Sequence, residues 1–201
     1  MLSAFFAWSA LHLGLAGAAT YRIDPKATSA SFEVWMLGFI PIRGHFNYTS
    51  GTLFFDPANR NGQISVLIET GGLETDSIRA QSTARGPQFF DVERHPRIDF
   101  KSSHFVFDGE RLRSIEGMLT LTGTTRPVTL AVTEAMCTDA TQREPPRCHA
   151  TAALTVKRSR FGMRAWSRSL ADDVTIRIGI VAFAETASGK ALETPERPEL
   201  R

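Results

Sequence analysis

Asp91, Glu93 and His95 stand at alternate positions in Asp91-Val92-Glu93-Arg94-His95. Two carboxylates and an imidazole so spaced could hold a divalent metal or share general acid and base work. The run lies in a loop ahead of Pro96, where Asp and Glu more often cap turns. His45, after Gly44, and His104, beside aromatic residues on a strand, have the character of rim or surface residues. Cys137, Cys148 and His149 would supply three metal ligands, but no fourth is in view. Asp172-Asp173 precede a strand, where adjacent carboxylates are usually solvated. The chain carries no nucleophile elbow, phosphate-cradling glycine loop, HExxH helix or CxxCH haem site. These residues therefore indicate no catalytic group and no metal, and the expectation is a protein that is not an enzyme. A metal-dependent hydrolase using Asp91 and His95 is the reading held against it.

The elements that would carry such residues are strands. Apolar and polar positions alternate at Phe32, Val34, Met36, at Leu119, Leu121, at Val128, Leu130, Val132 and at Val174, Ile176, Ile178, Ile180, a period of two that marks half-buried strands. Tyr48 to Phe55, Gly62 to Ile68, Arg97 to Phe107, Arg111 to Ser114 and Ala150 to Val156 add further candidates, so eight or more strands are expected. Asp56-Pro57-Ala58-Asn59, Asn61-Gly62, Asp108-Gly109 and Gly123-Thr124 supply the turns of antiparallel connections. One segment differs: Asp76 can cap a short helix over Ser77 to Thr83, ended by Gly86-Pro87. Closing the sheet removes its exposed edges, so an antiparallel barrel with a helical crossover is favoured; a two-sheet sandwich shares the local pattern. At eight strands a barrel interior is wide enough for one slender ligand. The abundant Phe and Trp residues fit a packed core as well as a ligand-lined one.

Of 201 residues, 42% are hydrophobic and 22% charged, the balance of one globular domain. Twenty-three Lys and Arg against 21 Asp and Glu leave no broad basic surface for phosphates, and nucleic acid is excluded as a partner. Met1 to Ala18 has no charged side chain, is apolar from Leu2 to Leu15 and ends in small residues at Ala16-Gly17-Ala18-Ala19, the pattern of a secretory signal peptide cleaved after Ala18 or Ala19. A retained anchor is the rival reading, and the run is shorter than the ~20 residues that cross a bilayer. The expected division is a signal peptide over 1–18, a β domain over 19–187 and a flexible, charged, Pro-bearing tail over 188–201. Two cysteines in an exported chain, Cys137 and Cys148, suggest a disulfide across a hairpin tip.

Several segments stand in a characteristic order: Tyr21-Arg22-Ile23-Asp24-Pro25, Phe32-Glu33-Val34, Leu37-Gly38, Gly44-His45-Phe46 and Ser50-Gly51-Thr52-Leu53, then Pro87-Gln88-Phe89-Phe90-Asp91-Val92-Glu93-Arg94-His95-Pro96 and Phe100-Lys101-Ser102-Ser103. Gly117 to Val128 and Arg160-Phe161-Gly162-Met163 ahead of Asp173-Val174 complete the set. Taken together in this order, they resemble the YceI-like family of exported, lipocalin-like barrels. The resemblance implies an all-β, lipocalin-like, antiparallel eight-stranded barrel with a short helical crossover, residence in the periplasm, and a lumen holding a polyisoprenoid such as a polyprenyl phosphate or a quinone. The chain departs from the family pattern at Ala27-Thr28, where His-Ser is common, at Met36, where a His often precedes Leu-Gly, and at Ala80-Gln81, where an Arg-Asp pair is usual; Arg79 is displaced by one position and Arg85 is retained.

The resulting expectation is a carrier or store for an isoprenoid or other long-chain lipid, needing no cofactor. Lumen candidates are Phe32, Val34, Met36, Phe46, Phe54, Phe89, Phe90, Phe100, Leu119, Leu121, Phe161 and Ile176; Arg79 and Arg85 are head-group candidates at a mouth. A quinone-holding accessory in stress or membrane redox processes is the alternative. Transient contact with the inner membrane or a membrane redox protein, and a homodimer, are the other partners considered.

Overall fold

The computed structural model describes residues 18–141 and 145–185; the tail expected over 188–201 and, Ala18 apart, the leader expected over 1–18 lie outside them. The elements run β1 (Ala19–Ile23), β2 (Ser29–Met36), β3 (Ile40–Phe46), β4 (Thr49–Asp56), β5 (Asn61–Glu69), β6 (Leu73–Thr75), α1 (Ile78–Arg85), β7 (Arg97–Asp108), β8 (Arg111–Leu121), β9 (Thr124–Thr138), β10 (Arg147–Lys157) and β11 (Leu170–Ala184). The strands form one sheet in the order β1-β4-β5-β7-β8-β9-β10-β11-β2-β3-β6, every pairing described being antiparallel, and β1 also pairs with β11.

That pairing closes a barrel of eight staves, because three staves are broken in the middle. β11 takes β1 at its end (Tyr21↔Ala184) and β2 along its earlier part (Ser31↔Arg177). β4 and β3 follow against them, then β5 and β6. Each break has a local cause. Between β1 and β2, Pro25 brings no N–H to a ladder, Asp24 accepts from Lys26 N at 2.8 Å, and the Thr28 hydroxyl accepts from Val181 N at 3.2 Å. Between β5 and β6 the chain makes a single 3-10 turn at Thr70–Gly72, and Asn47, between β3 and β4, donates its N–H to the Gly72 carbonyl.

α1 begins one residue later than the sequence suggests and runs two residues further. Ser77, not Asp76, is the cap: its hydroxyl accepts from Ala80 N at 3.4 Å, and Gly86 ends the helix with its N–H on the Thr83 carbonyl. The segment from Asp76 to Pro96 connects β6 to β7 and covers the end of the barrel where β7 has not yet begun. That end also carries the β2–β3 hairpin, the β8–β9 turn and the β10–β11 loop. At the turn, Thr122 (φ 48°) and Gly123 (φ 71°) are the two central residues, one position earlier than Gly123-Thr124; both need the left-handed region that hairpin turns of this hand demand. Arg111–Ser114 and Leu119–Leu121 prove to be parts of the single strand β8. The opposite end holds the β4–β5 and β7–β8 turns and the β9–β10 hairpin, where Cys137 and Cys148 form a disulfide between directly opposed residues.

The alternation works as a period of two requires. Val174, Ile176, Ile178 and Ile180 of β11 face the same interior as Val128, Leu130 and Val132 of β9. The hydrophobic core is therefore the inner surface of the barrel.

Candidate functional site

The interior is open. A cavity of about 660 Å³ runs along the barrel, with a lining almost wholly aliphatic and aromatic. At the α1 end its wall includes Ser77, Arg79, Ala80 and Thr83 of the crossover segment, with Phe89, Phe90, Met36 and Trp166; at the other it reaches Leu112, Ala135 and the Cys137–Cys148 pair. The volume is within the range of pockets that enclose small-molecule ligands.

So aromatic a chain leaves a hollow because glycines on neighbouring strands act as seats for the rings. A Cβ on Gly44 would lie 2.4 Å from the Phe32 ring, one on Gly62 2.5 Å from the Phe105 ring, and one on Gly117 2.6 Å from the Phe100 ring. Each ring thus lies flat on the wall instead of crossing the lumen. Under α1 three rings cluster: Phe32 with Phe46 at 6.0 Å, Phe32 with Phe90 at 5.4 Å and Phe46 with Phe90 at 5.5 Å between centroids. Phe89 meets Trp166 edge-on at 5.6 Å. These offset and edge contacts are the favourable aromatic geometries, and they frame the mouth.

The structure sets Phe32, Val34, Met36, Phe46, Phe89, Phe90, Phe100, Leu119, Leu121 and Ile176 along the cavity. Two expectations are corrected. Phe54 is 37% exposed and points outward, because neighbouring residues of a strand face opposite sides and β4 turns Leu53 and Phe55 inward. Phe89 and Phe90 escape that rule since they lie in the loop beyond α1. Phe161 is buried but away from the cavity, in the short 3-10 turn Arg158–Phe161, where its carbonyl accepts from the Thr122 hydroxyl. The two arginines separate likewise. Arg79 borders the cavity, whereas Arg85 turns back and donates to the Gly71 carbonyl, with its Nε buried and unpartnered.

Arg158 was not anticipated. It is 3% exposed and borders the cavity, and it donates to four carbonyls: Nε to Ala171 (2.8 Å), Nη1 to Met163 and Ala165 (both 2.7 Å), and Nη2 to Leu170 (3.0 Å). Burial pulls its pKa below the usual arginine range, with the nearby Asp172 charge opposing that; it remains a cation at neutral pH. Its signal lay in the register. Ala150, Ala152, Leu154 and Val156 mark the inward face of β10, and Arg158 is the next position of the series.

The residues first weighed for chemistry do not converge. Asp91 Oδ2 lies 3.8 Å from Arg94 Nη1, the His95 carbonyl accepts from the Thr70 hydroxyl, and the His95 ring lies against Gly123. His45 faces Glu74 at 3.4 Å and His149 faces Glu134 at 4.0 Å, both on the surface. Among the described residues no three His, Cys, Asp or Glu side chains are grouped to hold a metal ion.

A model of the YceI-like domain matches residues 21–182. The UPF0312 protein of Vibrio parahaemolyticus serotype O3:K6 is 36% identical over 124 residues, 60% of this chain and 65% of that one. The UPF0312 protein of Vibrio cholerae serotype O1 is 34% identical over 118 residues, 57% and 62% of the two chains, so the chain spans somewhat under two thirds of these relatives' length. Among solved structures, BcnA of Burkholderia cenocepacia superposes with a TM-score of 0.68 at 22% identity, covering 79% of this chain and 98% of BcnA. A polyisoprenoid binding domain from Saccharophagus degradans, implicated in plant cell wall breakdown, superposes with a TM-score of 0.61 at 14% identity, over 83% and 99%.

Proposed function

The chain belongs to the YceI-like domain family, and from that premise we propose that it is a periplasmic carrier or store that threads a polyisoprenoid chain down its lumen and performs no catalysis. The observation that carries this is the apolar cavity of about 660 Å³ running from the α1 mouth to the far end of the barrel. The naming of the S. degradans domain for polyisoprenoid binding supports the ligand class, and the apolar leader with its small-residue ending supports the compartment.

Burying a methylene yields about 0.8 kcal/mol, so one five-carbon isoprene unit contributes up to ~4 kcal/mol before ordering costs. A hydrogen bond or ion pair to a head group adds only about 1–3 kcal/mol. Tail length therefore dominates affinity, and the head group decides between ligands of equal tail. Arg79, at the α1 mouth, favours a phosphate there over a neutral quinone ring.

The test is binding of a fluorescent prenyl probe to Val34→Glu and Thr175→Glu. Val34 is 6% exposed on the cavity wall, so a carboxylate there must be desolvated by the tail; Thr175 does not border the cavity. Val34→Glu is expected to weaken binding at least tenfold and Thr175→Glu to leave it unchanged. Equal effects would remove the lumen assignment. Hydrolysis of an ester panel that disappears in His95→Ala would replace the carrier reading with an enzyme.

A further inference from the structure

The two ends of the barrel differ in what they show to solvent. At the α1 end the tip between β2 and β3 is Leu37-Gly38-Phe39, with Leu37 58% and Phe39 70% exposed; Ile78, the first residue of α1, is 89% exposed and Trp166 46%. Hairpin tips with a residue in the left-handed region normally take Asn, Asp or Gly there, yet Leu37 adopts φ 53° and carries an aliphatic side chain into solvent. The tip is joined to the β10–β11 loop through the Leu37 N–H on the Ser169 carbonyl at 2.6 Å. Leu37, Phe39 and Trp166 thus belong to one rim beside the cavity mouth. Clustered apolar exposure of this kind marks an interaction surface.

The charge of that rim is one-sided. The loop from Arg158 to Ser169 contains Arg160, Arg164 and Arg168 besides the buried Arg158, and no carboxylate. None of those three has an ion-pair partner among the described residues. Near the loop, Asp172 is engaged by Ser159 (2.8 and 2.9 Å), Asp173 by Lys157 (2.9 Å) and Asp91 by Arg94 (3.8 Å); the other carboxylates toward this end are Asp76 and Glu93 on the crossover and Glu69 and Asp99 where β5 pairs with β7. The opposite end is mixed in sign, with Asp56, Asp108, Glu110 and Asp139 beside Arg111 and Arg113.

We propose that the α1 end docks on the surface of an anionic phospholipid bilayer, with Leu37, Phe39 and Ile78 entering the interface and Arg160, Arg164 and Arg168 lying against the lipid phosphates. Apolar anchors ringed by arginines are the combination that an anionic interface selects. The geometry sets the cavity mouth against the membrane, so a lipid tail passes between bilayer and lumen without crossing water. In this respect the proposal builds on the lumen function, though Leu37, Phe39, Ile78, Arg160, Arg164 and Arg168 are a separate set that does not border the cavity, Trp166 alone of the rim doing so.

The experiment is flotation of the full mature chain with vesicles of phosphatidylglycerol and phosphatidylethanolamine, or of phosphatidylcholine alone, at low and high salt. Binding to the anionic vesicles is expected, weakening as salt rises. Each basic side chain near an anionic surface is worth about a fivefold change in partitioning, so Arg164→Gln with Arg168→Gln should lower it more than tenfold. Phe39→Asp should lower it similarly, and both variants should keep the wild-type melting temperature and prenyl-probe affinity. No flotation, equal flotation with phosphatidylcholine, or undiminished flotation of either folded variant would overturn the docking surface. A wild-type chain that binds vesicles but not the probe leaves docking standing and removes the lumen function; one that binds the probe but not vesicles does the reverse.

Discussion

Four carbonyl acceptors around one guanidinium make Arg158 the fastener of the loop at the cavity's α1 end, and Asp172 fastens the same loop from the other side. Burial alone would raise the Asp172 carboxyl. The Ser159 N–H at 2.9 Å and hydroxyl at 2.8 Å, helped by the charges of Lys157 and Arg158, outweigh it and hold the pKa below the usual aspartate value. A carboxyl lowered in the folded state stabilises the fold at pH above its unfolded value of about 3.9, and that contribution is lost as pH falls through the folded value. Asp172→Asn is therefore expected to lower the melting temperature at pH 6 and to flatten its decline between pH 6 and 3; a wild-type and variant that run parallel through that range would exclude this role. The departures from the family pattern have physical content as well. Met36 and Ala80 both border the cavity, so the mouth is apolar at two points where the family pattern has ionisable side chains. Thr28 instead ties the β1–β2 break to Val181.

Between strands, the glycine seats decide how much of the lumen stays empty. In Phe32↔Gly44 the two residues are directly opposed across β2 and β3, and the Glu74 backbone oxygen stands 3.0 Å from where a Gly44 Cβ would be. The side chain of Gly44→Val has no room there and drives the Phe32 ring into the cavity. Overpacking of this kind costs about 1–3 kcal/mol. The expected result is a lowered melting temperature together with weaker binding of long prenyl probes, while short ones are less affected; a uniform loss across lengths would mean that the ring had not moved into the tube. A second feature of this scale is a parting of hairpins at the far end. β8 pairs with β9 only as far as Ser114↔Ala131, whereas β7–β8 continues to Asp108↔Arg111 and β9–β10 to Thr138↔Arg147. Arg111 spans the gap to the Thr133 carbonyl at 3.3 Å.

For the molecule as a whole, closure joins the first strand to the last, and the Cys137–Cys148 disulfide holds the hairpin that extends beyond the parting, where β9 from Val132 to Thr138 pairs with β10 alone. With a sequence separation of 11, the chain-entropy model gives about 3 kcal/mol or somewhat less. Reduction, or Cys137→Ser with Cys148→Ser, should lower unfolding stability by about that amount in a urea titration, and because the pair borders the far end of the cavity it should weaken binding of long prenyl probes more than of short ones. An equal effect on probes of every length would mean that the ligand does not reach the far end.

The sequence by itself determined the class of fold, the inward faces of β2, β8, β9 and β11, the helical crossover and the cysteine pairing. Each follows from local chemistry: a period of two, turn residues with a defined backbone preference, a helix stop at Gly86-Pro87 and an even cysteine count, although the cap proved to be Ser77 and not Asp76. It could not choose between Phe54 and Phe55, because two adjacent aromatics satisfy either register of β4 and only the partner strands fix which one turns inward. Nor could it reveal that Arg158 is buried, that Arg85 is spent on Gly71, or that three breaks reduce eleven strands to eight staves. Above all, whether the aromatic residues fill the barrel or line it depends on which glycine each ring meets across the sheet. Those meetings join residues far apart in the chain, and they exist only once the sheet has closed.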